Sequence, residues 1–218
     1  MNIRLLIGGA ALCLTLYATG ALAVEFDQRL QEVQHDWAVA NYQIEDADQR
    51  EAAFEQLVAK AEALAADYPQ RAEALIWQGI VYSSFAGAKG GLGALGLAKK
   101  ARASLEAALK IDPKALDGSA YTSLGTLYHK VPGFPLGFGS DKKARKFLLK
   151  ALEINPDGID SNYFYGEFLV DEKQFDEARK YLERALAAPP RPGRPIADQG
   201  RRWEIQALLQ KIADRGRA

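Results

Sequence analysis

One spacing constrains this chain more than any other feature. Ala144 and Ala178 are 34 residues apart, as are Pro156 and Pro190. Both pairs belong to one pattern, Ala-x-x-x-Leu-x-x-Ala followed by a proline. It occurs as Ala101-Leu105-Ala108-Pro113, Ala144-Leu148-Ala151-Pro156 and Ala178-Leu182-Ala185-Pro190. A glycine inside an apolar helical stretch precedes each return: Gly79, Gly125 and Gly166. A unit of this length built from two helices cannot bury its apolar face alone, so such units stack into a solenoid.

Helical periodicity runs along the chain, with no sustained period-two alternation. Residues 25–42 read as a first helix. Residues 48–67 read as a second, with Phe54, Leu57, Val58, Ala61, Leu64 and Ala65 on one stripe and a stop before Pro69. Together with Trp37 they make residues 24–70 a degenerate terminal repeat, as expected where one face lacks a neighbour. Residues 71–190 hold three clear repeats. In the second, Tyr121, Leu124, Gly125 and Tyr128 share a face. Gly125 lets the second helix approach, and Ala144 and Ala151 serve the same close contact. Proline after Asp112 and after Asn155 ends each second helix, because it cannot donate the next bond and disfavours helix at the residue before it. In residues 191–218 the rest of a stiff PPRPGRP connector leads to a last helix over 197–213. Its Ile205, Leu208, Leu209 and Ile212 form a stripe that predicts a cap over the final repeat.

Residues 1–23 read as an export leader: one positive side chain in the first four residues, an apolar run from Leu5 to Tyr17, and Ala21-Leu22-Ala23 as a small-x-small cleavage signal. The uncharged run Leu5 to Val24 is also long enough to span a bilayer uncleaved. The Ala-x-Ala ending and the acidic start at Glu25 and Asp27 favour cleavage before Val24. Cys13, the only cysteine, follows Leu12 rather than a small residue and lies within the apolar run, which speaks against lipid attachment. A mature chain without cysteine suits an oxidising compartment such as a bacterial periplasm.

About 195 residues remain after the leader, consistent with one short solenoid that buries roughly 70% of its unfolded surface. Removing Arg4 from 28 basic residues leaves 27 against 28 acidic, a net charge of −1. This gives no electrostatic footprint for nucleic acid. Arg191, Arg194, Arg201, Arg202, Arg215 and Arg217 make the C-terminus locally basic. A solvated face is the first reading of that run, contact with anionic lipid or an acidic partner the second.

Two segments exceed the short inter-helix turn of the third repeat. Tyr82 to Ala101 is ten residues longer than Leu169 to Ala178, and Tyr128 to Ala144 is seven longer. Equivalent loops of adjacent repeats fall on one edge, so the two insertions should be neighbours. Their Leu92, Leu95, Phe134 and Phe138 would form an apolar lip for an apolar ligand or a partner surface. Alternatively they bury these residues against the helices, or form extra helical turns. Gly91-Leu92-Gly93-Ala94-Leu95-Gly96 matches a dinucleotide-binding pattern, but a helix precedes it where that motif requires a strand. His35 and His129 have no paired metal-ligand spacing, and no nucleophile elbow or mature cysteine is present. The chain reads as no enzyme, with no metal site and no cofactor. His129 is a candidate hydrogen-bonding residue on the face assigned to the groove.

The glycine, tyrosine, alanine and proline positions resemble the tetratricopeptide repeat (TPR) family. The resemblance implies an all-α solenoid of helix-turn-helix units, here with two Gly-rich inter-helix insertions and a C-terminal capping helix. It also implies that the inner face of each first helix lines a binding groove. On this chain those residues are Glu73, Ile76, Ile80 and Ser83, then Ser119, Thr122, Thr126 and His129, then Asp160, Tyr163, Glu167 and Val170. The Lys/Asn clamp of modules that grip acidic chaperone tails is missing. VPGFPLGFG, DKKARKFLLKALEINPDG and NYFYGEFL look like periplasmic TPR proteins grouped with the TatT-type components of TRAP transporters. That resemblance implies a periplasmic protein partner, a solute-binding protein, and an apolar small ligand. Its founding members are lipid-anchored, whereas this chain lacks the lipid-attachment motif. A cell-envelope assembly scaffold with a protein partner and no small ligand is the alternative.

Overall fold

The computed structural model describes residues 8–215, with side chains from residue 23 onward apart from Leu92. Most of the expected leader therefore lies outside the described side chains, and Arg217 outside the described residues. Nine helices are described: α1 Gly8–Tyr42, α2 Ala47–Asp67, α3 Ala72–Lys89, α4 Gly91–Ile111, α5 Ala115–Lys130, α6 Asp141–Ile154, α7 Ile159–Asp171, α8 Phe175–Ala187 and α9 Pro195–Arg215. Among the described residues the isolated bridge between Gly133 and Gly139 is the one β-type pairing.

Local chemistry sets the ends. Asp46 caps α2 by accepting a hydrogen bond from the Gln49 amide at 2.8 Å. Ser140 caps α6 through Lys143. These side chains satisfy amides that have no partner within their own helix. The C-caps of α2, α4, α6 and α8 are Tyr68, Asp112, Asn155 and Ala188, each the residue before a proline.

Within a repeat the two helices interlock at the glycine. A Cβ on Gly79 would stand 2.6 Å from Leu105 Cγ, one on Gly125 2.6 Å from Leu148 Cγ, and one on Gly166 2.9 Å from Leu182 Cγ. The leucine of each return, more than its alanines, fills the space that the glycine leaves. All three leucines are fully buried, as are the alanines flanking them.

Between repeats the helices separate into two layers. The backbones of the even-numbered helices α2, α4, α6 and α8 pack closely only against their chain neighbours. The odd-numbered helices touch one another in succession, α1 to α3, α3 to α5, α5 to α7 and α7 to α9. Helix α9 also touches α1, so the inner layer closes on itself. The last helix is therefore more than a cap: it packs on α8 and α7 as expected and then reaches back to the first helix.

The two insertions differ. The Gly-rich segment after Tyr82 is helix and not loop, with α3 running to Lys89, α4 starting at Gly91, and Gly90 making the corner at φ 61°. Residues 131–140 after α5 stay irregular. A turn not foreseen from sequence opens α5: Leu116, Asp117 and Gly118 all have positive φ (48°, 55° and 78°). The conformation costs roughly 1–2 kcal/mol for each non-glycine residue. Leu116 packs into both main apolar clusters, and the Ser119 hydroxyl donates to its carbonyl at 2.7 Å, which holds the turn.

A Gly125→Leu substitution forces a side chain into the Leu148 contact and should lower stability by about 1–3 kcal/mol. Gly87, with nothing within 4 Å of its built Cβ, provides the control. Urea unfolding should show a lower midpoint for the first variant and an unchanged or higher one for Gly87→Ala.

Candidate functional site

The connector between α8 and α9 holds Pro189, Pro190, Pro192 and Pro195, which restrict its backbone, and Gly193, whose φ of 71° turns it. The turn sends Arg191 and Arg194 inward, where with Arg201 of α9 they meet the expected groove. Asp160, at the start of α7, accepts from Arg191 Nη1 at 2.5 Å and from Arg201 Nε at 2.8 Å. Arg191 is fixed from the other side by Asp198, which accepts from its Nε and its backbone amide, both at 2.7 Å. Arg201 also donates to Glu204 at 2.5 Å, and the Tyr42 hydroxyl of α1 donates to the same carboxylate at 3.1 Å. One chain of polar contacts thus runs from α7 through the connector and α9 to α1.

Aromatic rings line this chain. The Arg201 guanidinium sits 4.3 Å from the Tyr163 ring centroid and 4.4 Å from that of Phe164. Arg194 sits 4.8 Å from Trp77 and 5.9 Å from Trp37. The α9 backbone comes so close to α1 at Gly200 that a Cβ there would lie 2.3 Å from the Tyr42 ring. Arg202 donates to the carbonyls of Leu186 and Ala188, covering the open end of α8.

The electrostatics follow from this geometry. Burial would raise the Asp160 carboxyl, but the Arg201 and Arg191 charges outweigh it and hold the group well below the usual carboxylate range. Arg201, only 7% exposed, is held above its ordinary value: burial opposes its charge, and Asp160 more than restores it. Arg194 falls to about 10, through burial first and the neighbouring Arg191 charge second. Burial likewise pushes the Tyr42 and Tyr163 hydroxyls well up.

The groove expectation needs correction at this end. Asp160 and Tyr163 are occupied by the chain's own C-terminal segment. Arg191, Arg194 and Arg201 are ligands of that surface and not a solvated tail. Neighbouring expected groove residues are also committed. Ile76 and Val170 are core, Thr122 is buried, and Ile80 is half-buried against both main clusters. Glu73 pairs with Arg71 at 3.1 Å. The Ser119 and Thr126 hydroxyls donate to their own helix. Ser83 Oγ is buried without a hydrogen-bond partner.

A second polar group occupies the far end of the same stripe. His129 places Nδ1 2.9 Å from Asp141 and Nε2 2.9 Å from Asp171, so it ties α5 to both α6 and α7. Lys130 pairs with Asp171 at 2.9 Å and with Glu167 at 3.3 Å. Burial would raise Asp171, but the hydrogen bonds from His129 and Lys130 leave it lowered. Beside this group is the insertion edge. Phe138 packs edge-on to Tyr128 at 5.5 Å beneath Arg102. Leu97 of the first insertion joins Phe138 in one cluster around Tyr82 and Leu127, so the bases of the two insertions do meet. Leu95 is half-buried, while Phe134 is 94% exposed. The side chain of Leu92 lies outside the described ones.

Sequence reasoning missed Tyr42, Glu204 and Leu136. An unpaired Asp160 opening a first helix, with an arginine-rich connector downstream, was the available signal for the first two. Gly91 to Gly96 forms the first turns of α4 after a helix, without the strand that nucleotide binding needs. No metal-holding cluster of His, Cys, Asp and Glu occurs among the described residues.

Residues 142–194 match the sequence profile of the tetratricopeptide repeat family. No curated protein sequence matches the chain. Among solved structures, it is similar to a thermophilic TPR protein of Thermus thermophilus, with a TM-score of 0.55 and 18% identity over 92% of this chain and 96% of that one. The fold is the all-α TPR fold.

Asp160→Asn should cost about 2 kcal/mol at neutral pH, between the values for an exposed and a buried pair, since a third of the side chain remains exposed. The sign with pH follows from the lowered carboxyl. Its contribution is complete above the unfolded value of 3.8 and is lost as pH falls through the folded one. Urea unfolding at pH 5 and pH 3 should therefore show a larger loss for the unsubstituted protein than for Asp160→Asn. Glu204 titrates in both, so the comparison removes most of its contribution, less the part that Asp160 itself exerts on Glu204.

Proposed function

We propose that this chain is a protein-binding scaffold of the periplasm, exported by residues 1–23, that serves a TRAP-type solute transporter by holding its solute-binding protein. It acts by binding and performs no chemistry of its own. The observation that carries the reading is the TPR fold, since solenoids of this kind present extended surfaces suited to protein partners. Export is supported by the Ala-x-Ala leader and by a mature chain without cysteine. The transporter role is supported by the TatT-type segments around the second insertion and in α7.

The surface that remains for a partner lies away from the arginine-filled end. It consists of the stripe of α5 and α7 around Thr126, His129, Lys130, Glu167 and Asp171. The charged groups there are half-buried or exposed and pair with one another across helices, so a partner can exchange its own charges for them.

In-cell photo-crosslinking tests this reading. Tyr163 is a poor position because it lies beneath Arg201. Thr126 is half-buried and its hydroxyl bonds only to its own helix. A crosslinkable residue at Thr126 should yield a discrete adduct to a solute-binding protein, and one at Phe134, on the neighbouring edge, should not. An adduct to secretion or cell-wall machinery would replace the transporter role with an assembly scaffold. No protein adduct at either position would overturn the scaffold reading.

A further inference from the structure

The loop between α5 and α6 holds two large apolar side chains out in water. Phe134 is 94% exposed and Leu136 74%. The other exposed large apolar residues, Val24, Ile111, Leu149 and Trp203, belong to four different helices, α1, α4, α6 and α9. The loop is built to present its tip. Gly137 N donates to Gly133 O at 3.0 Å, Gly139 N to Pro132 O at 2.9 Å, and Ser140 N to Tyr128 O at 2.8 Å. Phe138, half-buried, anchors the base against Tyr128.

Cations flank the loop. Lys142 and Lys143 open α6 directly after the loop, and Lys146 lies one turn on. Arg102 of α4 covers Phe138, and Lys99 lies one turn nearer to the insertion edge. Lys99, Lys142, Lys143 and Lys146 are exposed, and among the described residues none of the four carries an ion pair, although Lys143 lies over the Tyr128 ring at 5.1 Å. Asp141, the carboxylate that opens α6, is taken up by His129.

We propose that this edge docks on an anionic lipid surface, with Phe134 and Leu136 entering the boundary between headgroups and acyl chains while the lysines meet lipid phosphates. Two features select a bilayer over a protein. The apolar tip projects, and a bilayer accepts a projection without a matching pocket, whereas protein and ligand sites that seal apolar groups are concave. Uncompensated lysines beside it complement a negative surface and supply the second of the two attractions that stable peripheral binding needs. Docking of this edge does not depend on which protein the solenoid holds.

Co-sedimentation of the purified protein with phosphatidylglycerol-containing vesicles, against pure phosphatidylcholine vesicles, tests it. Binding should be confined to the anionic vesicles and weaken at high salt. Phe134→Ser with Leu136→Ser should reduce it about tenfold or more, and Lys142→Gln with Lys143→Gln and Lys146→Gln should weaken it and flatten the salt dependence. These side chains are exposed, so unfolding midpoints should stay unchanged. No binding to anionic vesicles at low salt would overturn the proposal. So would binding that the Phe134 and Leu136 substitutions leave intact. Capture of an acidic protein by the same edge, with no vesicle binding, would assign it to a protein partner instead.

Discussion

Each of the three clear repeats depends on one contact, a glycine backbone pressed against a leucine. Gly79 with Leu105, Gly125 with Leu148, and Gly166 with Leu182 bring the paired helices closer than any side chain at the glycine would allow. Because the same contact recurs in successive units, each pair has nearly the same separation. The pairs then stack in register, with first helices in one layer and second helices in the other. Protein interiors are packed to the density of organic crystals, so a spacing set by three fully buried leucines tolerates little change. The inner stripe and the insertion edge exist only while this spacing holds.

The C-terminal segment changes what the stacked helices can do. In an open solenoid the inner face would be free along its length. Here Arg191, Arg194 and Arg201 fill one end, and Gly200 brings α9 directly onto Tyr42. The ion chain through Asp160 and Glu204 joins α7 to α1, elements more than a hundred residues apart in sequence. Replacing Arg191 would leave Asp198, and replacing Arg201 would leave Glu204, without its counter-charge in partly buried surroundings, which costs more than an exposed pair ever contributes. The segment is best understood as part of the fold. It closes a layer that the repeats alone leave open.

The readable and unreadable parts of the sequence divide along the range of the forces involved. The repeat unit was legible because Ala144, Leu148 and Ala151 form a local pattern with one physical cause. The second-helix ends were legible because Pro113 and Pro156 act on the residue beside them. The first insertion was open between loop and helix because its glycines each disfavour helix by about 1 kcal/mol. Phe85, Ala86, Leu97 and Ala98 settle it as helix by burying against neighbouring helices, a tertiary gain that no local window contains. The arginines of the connector read as a solvated run because their partner, Asp160, lies 31 residues before Arg191 and 41 before Arg201. The left-handed turn at Leu116 was hidden for the same reason: what holds it is contact with two clusters.

Placing Asp160 and Tyr163 under the chain's own C-terminus leaves the opposite end of the inner stripe, and the edge beside it, as the surface with unused capacity. His129, Lys130, Glu167 and Asp171 satisfy one another there, yet they remain close to solvent and are exchangeable. Beside them the chemistry changes from paired charges to unpaired lysines around two exposed apolar side chains. Residues that served only stability would not be arranged in this way. Phe134 and Leu136 contribute nothing to the core, and like charges near one another cost free energy. Such a patch persists at a cost to solubility unless something covers it. The solenoid thus has one end committed to closing its own fold and another that presents two different chemistries, one suited to a protein and one to a charged surface.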